Sequence, residues 1–282
     1  MRILRRILLP ALVLGVAGCG DSSPSALIPS APSVVPSASI GLQGVVYDSA
    51  FRPITGARVE VVDGARAGTT ASTDALGRFS FEGTVGERTL LRATSVAHET
   101  ATMLVPPKCA SCATPWLYFY LALVGPVTDM AGEYTLKFVA DGTCREQMPS
   151  GLQERTYAAT IVPSPAPALP AGTSYQVLVG GAPFLATFDR FSLHVAGNYR
   201  ALFLGDSGPG LLELVGQNEG LALSGWATGS AGGADAAVAA TLEGYAHYCA
   251  LPGPVSSWSA CAVAATHLTC ESKNHRLVLT RR

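Results

Sequence analysis

Residues Gly44 to Gly64 read GVVYDSAFRPITGARVEVVDG, and Thr73 to Phe81 read TDALGRFSF. Val59 and Val61 alternate with Arg58 and Glu60, and Phe79 and Phe81 with Arg78 and Ser80. This is the period-2 pattern of strands with one buried face. Turn-forming residues separate these runs: Asp48 to Pro53, Asp63-Gly64, and Asp74 to Gly77. Further strands are expected at Thr89 to Ser95, Glu99 to Val105 and Trp116 to Leu123. The expectation is an all-β protein, because helical periodicity is nearly absent beyond the N-terminal run. A chain of 282 residues with 30 glycines and 19 prolines is long enough for two strand-and-turn cores.

Gly44-x-Val46, Pro53-Ile54-x-Gly56-Ala57-x-Val59-x-Val61 and Thr73-Asp74-x-x-Gly77-x-Phe79-x-Phe81 resemble the carboxypeptidase regulatory-like family. The likeness covers about Ile40 to Val124. It implies a seven-stranded, transthyretin-like β-sandwich without an active site, a spacer or interaction module beside another domain. Ala97-His98 departs from the glycine and aromatic usual at that turn. Asp48, Thr73 and Asp74 read as turn-closing acceptors rather than calcium ligands.

Beyond Gly125-Pro126 a second domain, 126–282, is expected. Gly132 to Ala140, GEYTLKFVA, places Tyr134, Leu136 and Phe138 on one face. Arg155 to Val162 does the same with Tyr157, Ala159 and Ile161, and Tyr175 opens the next run. Strands follow at Phe191 to Val195, Asn198 to Leu204, Leu211 to Val215, Leu221 to Thr228, Ala236 to Tyr248, Cys261 to Thr269 and His275 to Arg281. About eight to ten consecutive strands with short turns predict an antiparallel up-and-down β-barrel, since closure removes exposed edges. A second β-sandwich is the rival. Tyr134, Leu136, Phe138, Tyr157, Ile161 and Tyr175 are the candidate lining, of either a filled core or a cavity. Gly132-x-Tyr134 with Arg281 is faintly similar to the lipocalin pattern, in which glycine-x-tryptophan packs beside a late arginine. The tryptophan is absent, so the likeness is architectural.

Working back to the N-terminus, Arg2, Arg5 and Arg6 precede a ten-residue apolar run, Ile7 to Val16, too short to span a membrane. Val16-Ala17-Gly18-Cys19 resembles a bacterial lipoprotein signal. The resemblance implies a signal peptide at 1–18 and a lipid-modified Cys19. Gly20 to Ser39 carries four prolines and seven serines and reads as a tether, 19–39, before a sandwich at 40–125. Gly20 is not the aspartate of an inner-membrane retention signal, which favours an outer-membrane anchor facing the periplasm or cell surface.

Loss of residues 1–18 removes three arginines and no acids, leaving a formal charge more negative than −1. That offers no electrostatic footprint for nucleic acid. Six cysteines remain after Cys19. Cys109 and Cys112 are expected to form a local disulfide that pins a loop, rather than a redox dithiol or a metal site. In an even-stranded closed meander the end of the first strand lies beside the start of the last, which pairs Cys144 with Cys270. Cys249 and Cys261 flank the loop ALPGPVSSWSA and are expected to staple it at the opposite rim.

Gly205-Asp206-Ser207-Gly208 resembles a serine-protease nucleophile motif, but no matching histidine element precedes it, and it reads as a hairpin tip. His194, His247, His267 and His275 fall on separate predicted strands. Glu243, Tyr245 and His247 share one strand face, read as solvent-facing. No cofactor or metal motif is present. These observations predict a non-catalytic, membrane-anchored binding or interaction module of the cell envelope, with a small apolar ligand, a glycan or an envelope protein as partner. The alternative is an envelope enzyme whose C-terminal domain carries an unrecognised active site.

Overall fold

The structure is a computed structural model that describes residues 41–83, 85–107, 116–126, 128–165, 173–205, 208–232 and 237–282. Cys19, the tether, and Cys109 and Cys112 lie outside these residues.

The first seven strands form two sheets. One has the order β4-β1-β7 and comprises β1 (Gln43–Asp48), β4 (Arg78–Ser80) and β7 (Trp116–Leu121), with β7 parallel to β1. The other has the order β3-β2-β5-β6, from β2 (Arg58–Val61), β3 (Thr70–Ser72), β5 (Leu90–Thr94) and β6 (Ala101–Leu104). Val46, Val59, Val61, Phe79, Phe81, Leu91 and Phe119 meet between them as one apolar core.

The turns close as their residue types require. Asp48 Oδ1 accepts from the backbone N–H groups of Ala50 and Arg52 at 2.8 and 2.9 Å, and Asp74 Oδ1 accepts from those of Leu76 and Arg78, both at 2.8 Å. Thr73 Oγ1 accepts from Ala57 N–H and donates to Ile54 O. Gly77, at φ 72°, is required at its position, since a Cβ there would sit 2.6 Å from Val46 O. Ala97, at φ 62°, occupies the left-handed conformation that glycine would adopt without strain.

The next strands close an eight-position antiparallel barrel. They are β8 (Gly132–Val139), β9 (Glu154–Pro163), β10 (Ser174–Gly180), β11 (Phe184–Ala196), β12 (Tyr199–Leu204), β13 (Leu211–Leu214), β14 (Glu219–Gly232), β15 (Ala237–Ala250) and β16 (Thr266–Arg281). Both β12 and β13 run between β11 and β14, so together they fill one position, interrupted by residues 205–210. β16 pairs with β8, from Arg276 opposite Val139 to Arg281 opposite Tyr134, which closes the ring.

Cys144 is bonded to Cys270, and Cys249 to Cys261. The expected opposite rim for the second bridge is corrected. β8 finishes, and β15 finishes and β16 starts, at one end of the barrel, so both bridges lie at that end, hereafter the distal end. The expected strands Cys261 to Thr269 and His275 to Arg281 are also corrected. A short helix, α1 (Trp258–Ala262), is capped by Ser257, whose hydroxyl accepts from Ala260 N–H, and one strand, β16, follows. Its pairing with β15 shifts register between Leu242 and Gly244. The bulge moves the buried positions from Cys270 to His275, Leu277 and Leu279, switching the parity by which a strand is read.

The sandwich docks on the outer wall of β11 and β12, near the opposite, proximal end. Phe51, at φ 63°, projects from the Asp48 turn with ring centroids 4.9 Å from His194, 4.9 Å from Phe203 and 5.7 Å from Trp226. Ala50, Ala196 and Ala201 pack beside it, and Arg52 lies 4.8 Å over the Tyr199 ring.

Candidate functional site

The expected lining is brought together. Tyr134, Leu136, Phe138, Tyr157, Ile161 and Tyr175 are all buried, in one cluster with Val177, Leu193, Leu202, Leu223, Leu242 and Leu277. These side chains fill the barrel interior. At the distal end Glu213 turns inward from β13, paired with the Arg155 guanidinium, and its Oε2 accepts from the Tyr157 hydroxyl at 2.9 Å. Burial and the adjacent carboxylate both push the Tyr157 phenol far up, so it serves as a hydrogen-bond donor. At the proximal end Arg281 lies 6.0 Å over the Tyr134 ring and donates to Ala131 O.

The histidines do not gather at one site; only His247 and His267 meet, as stacked rings. His267 and His275 share β16 rather than lying on separate strands. His247 faces outward with Tyr245 and Glu243 as expected, but the His247 ring is buried rather than solvent-facing. Residues 250–265 fold back over it: Cys261 O lies 3.3 Å from Nε2, and the Trp258 and His267 rings lie 5.3 and 5.6 Å away. Burial holds its pKa below the ordinary histidine value. Asp206 and Ser207 of the protease-like stretch lie outside the described residues.

Among the described residues, Cys144, Cys270 and His275 bring three potential metal donors within 4.8 Å of one another. The two sulfurs are bonded to each other, and Asp141 N–H donates to His275 Nδ1 at 3.1 Å, which puts the ring proton on Nε2. In this state both sulfurs and His275 Nδ1 are committed, while the buried His275 Nε2 has no hydrogen-bond partner among the described residues.

What remains open is a face of the sandwich. Trp116, Tyr118 and Tyr120 alternate along β7 on the outer side of its sheet, opposite Gln43, Val45 and Tyr47 of β1. Tyr120 is taken up by the domain junction, with its ring stacked 6.2 Å from Tyr47 and 5.2 Å from Phe51. Trp116 and Tyr118 stay 43% and 47% exposed. Trp116 also walls a groove lined by Gln43, Thr70, Ser72, Asp74, Arg78 and Ser80. The Arg78 guanidinium makes no ion pair among the described residues. Sequence reading assigned Trp116 and Tyr118 to a strand, and the residue pair was missed as a site. Their alternation was the available signal: three aromatics on one face of an edge strand exceed what a two-layer core needs on its outer side.

Comparison with known proteins finds no matching family model, no matching curated protein and no matching solved structure.

Proposed function

We propose that this chain is a non-catalytic, lipid-anchored protein of the cell envelope that binds a glycan through the outer face of its sandwich. The observation that carries this reading is the pairing of two half-exposed aromatic side chains, Trp116 and Tyr118, with a polar groove. Flat aromatic rings offer stacking area to the C–H faces of sugar rings at low conformational cost. The amide of Gln43, the guanidinium of Arg78 and the hydroxyls of Thr70, Ser72 and Ser80 offer donors and acceptors of the kind that fix a hydroxyl-rich ligand. The filled barrel supports this location over an apolar ligand in its interior, and serves as a rigid body against which the sandwich is held. Cys19, by its resemblance to a lipoprotein signal, would carry the anchor, with residues 20–39 as the tether.

Retention of the full-length, detergent-solubilised protein on immobilised envelope polysaccharides tests the reading. Wild type is expected to be retained and both Trp116→Ala and Tyr118→Ala to elute early. Equal retention of all three, or of none on any polysaccharide from its own envelope, contradicts it. Cys19→Ser should leave the membrane fraction, and persistence there, with no acyl mass on the wild type, contradicts the anchor.

A further inference from the structure

We propose that the proximal end of the barrel holds a small carboxylate, bound by Arg200 and Tyr134. Arg200 is the second residue of β12 and points into the barrel, with Leu202 and Leu204 following it inward on the same strand. It is fully buried, the largest side chain among the described residues to be so. Its Nη1 donates to the carbonyls of Gly197 and Tyr199. Among the described residues its Nε and Nη2 find no partner, and neither does the buried Tyr134 hydroxyl, which faces it from β8, four positions around the ring.

Nε and Nη2 are the two donors along one edge of a guanidinium, spaced to meet both oxygens of a single carboxylate. No aspartate or glutamate among the described residues pairs with Arg200. A buried charge without a counter-ion is strongly destabilising, far more so than the same charge bonded along that edge. The neighbouring groups are suited to an anion: Tyr134 adds a neutral donor, and Arg281 crosses the Tyr134 ring as a second cation. Tyr175 is committed, since its hydroxyl donates to Thr128 O.

A cavity of 180 Å³ adjoins this end, lined by Leu123, Pro126, Thr128, Thr173, Val195 and Gly197. Gly197 and Thr128 belong to both places, for their carbonyls accept from Arg200 and Tyr175. Arg200 and Tyr134 do not line this cavity, which is the approach to them; at about 30 Å³ per water in the liquid it passes only a few heavy atoms, the size of a two- to four-carbon acid. A single guanidinium edge with one neutral hydroxyl, that of Tyr134, matches a planar monoanion better than a tetrahedral dianion. The proposal is independent of the glycan reading, since it concerns the opposite domain.

The test is thermal unfolding of the full-length protein in detergent, titrated with acetate, propionate or butyrate against chloride at constant pH and ionic strength. Wild type should melt at progressively higher temperature with carboxylate and not with chloride, and Arg200→Met should lose that response. Tyr134→Phe should keep the fold and weaken binding about tenfold, for one lost donor to a charged group. A wild type that responds to carboxylate and chloride alike, an Arg200→Met protein that keeps the carboxylate response, or a stronger response to inorganic phosphate overturns the proposal. If Arg200→Met fails to fold, saturation-transfer NMR on the acetate methyl decides: equal signal from wild type and Tyr134→Phe overturns it, and a signal lost with the hydroxyl supports it.

Discussion

Replacing Phe51 separates the contribution of the domain junction from that of the two cores. The ring sits against four others, His194, Phe203, Trp226 and Tyr120, at centroid distances from 4.9 to 5.7 Å. Burying a phenylalanine contributes about 1.5–3 kcal/mol, and each well-oriented aromatic pair about 0.5–1.5 kcal/mol more. Phe51 is only partly buried, so Phe51→Ala should cost about 2–4 kcal/mol. The backbone adds a second, signed expectation. At φ 63° an alanine keeps the left-handed strain of the phenylalanine, whereas glycine is free of it. Phe51→Gly should therefore be about 1 kcal/mol more stable than Phe51→Ala, the reverse of the order in ordinary extended or helical backbone. Urea denaturation followed by far-UV circular dichroism and by tryptophan fluorescence reports both, the second through Trp226 in the junction. A Phe51→Ala protein within about 0.5 kcal/mol of wild type, inside the range of an ordinary surface change, or a glycine variant less stable than the alanine one, would refute the docking as described.

Other outcomes follow from the barrel. Removing the Cys144–Cys270 bridge, which spans 126 residues, should cost about 5 kcal/mol by chain entropy, and removing Cys249–Cys261, which spans 12, about 3 kcal/mol. Equal losses for the two double-alanine variants in chemical denaturation would show that loop length is not what decides. Burial holds His194 neutral, with its pKa lowered to about 4 from 6.5. The unfolded chain takes up a proton near pH 6.5 that the folded one refuses until about pH 4, so the stability from this group is present above 6.5 and lost as pH falls through that window. The loss amounts to about 3 kcal/mol, and His194→Gln should show a shallower decline than wild type in melts between pH 7 and 4. Glu213→Ala leaves Arg155 and the Tyr157 hydroxyl without their shared acceptor and should cost about 3–5 kcal/mol. A loss under 1 kcal/mol would mean water replaces the carboxylate without penalty.

Strand identity was legible wherever one face is buried and the period of two is unbroken, as from Tyr134 to Phe138 and from Tyr157 to Ile161. Closure followed from strand count, and the Cys144–Cys270 pair from closure. The same parity argument places the β15–β16 connection at the rim where β8 ends, so the position of the second bridge was available in the sequence and was misassigned. The remaining differences have local causes. A bulge switches the buried parity of β16 and makes one strand read as two. The first half of β11 alternates weakly because its pairing with β13 is irregular and Thr187 sits at φ 74°. The fold-back of residues 250–265 buries His247 through contacts distant in sequence. The proposed sites were least legible. Arg200 reads as an inward-facing cation only once the register of β12 is known, and the exposure of Trp116 depends on β7 being an edge strand.

Hydroxyl-radical footprinting of the full-length protein, with and without polysaccharide isolated from its own envelope, tests the proposed glycan face most directly. Trp116 and Tyr118 are half exposed in the free protein and should be oxidised readily there, then protected when the glycan is bound, while exposed apolar residues elsewhere, Val96 and Val263, react equally in both states. Unchanged oxidation of Trp116 and Tyr118 under conditions of proven binding, or protection confined to the barrel, would contradict the account.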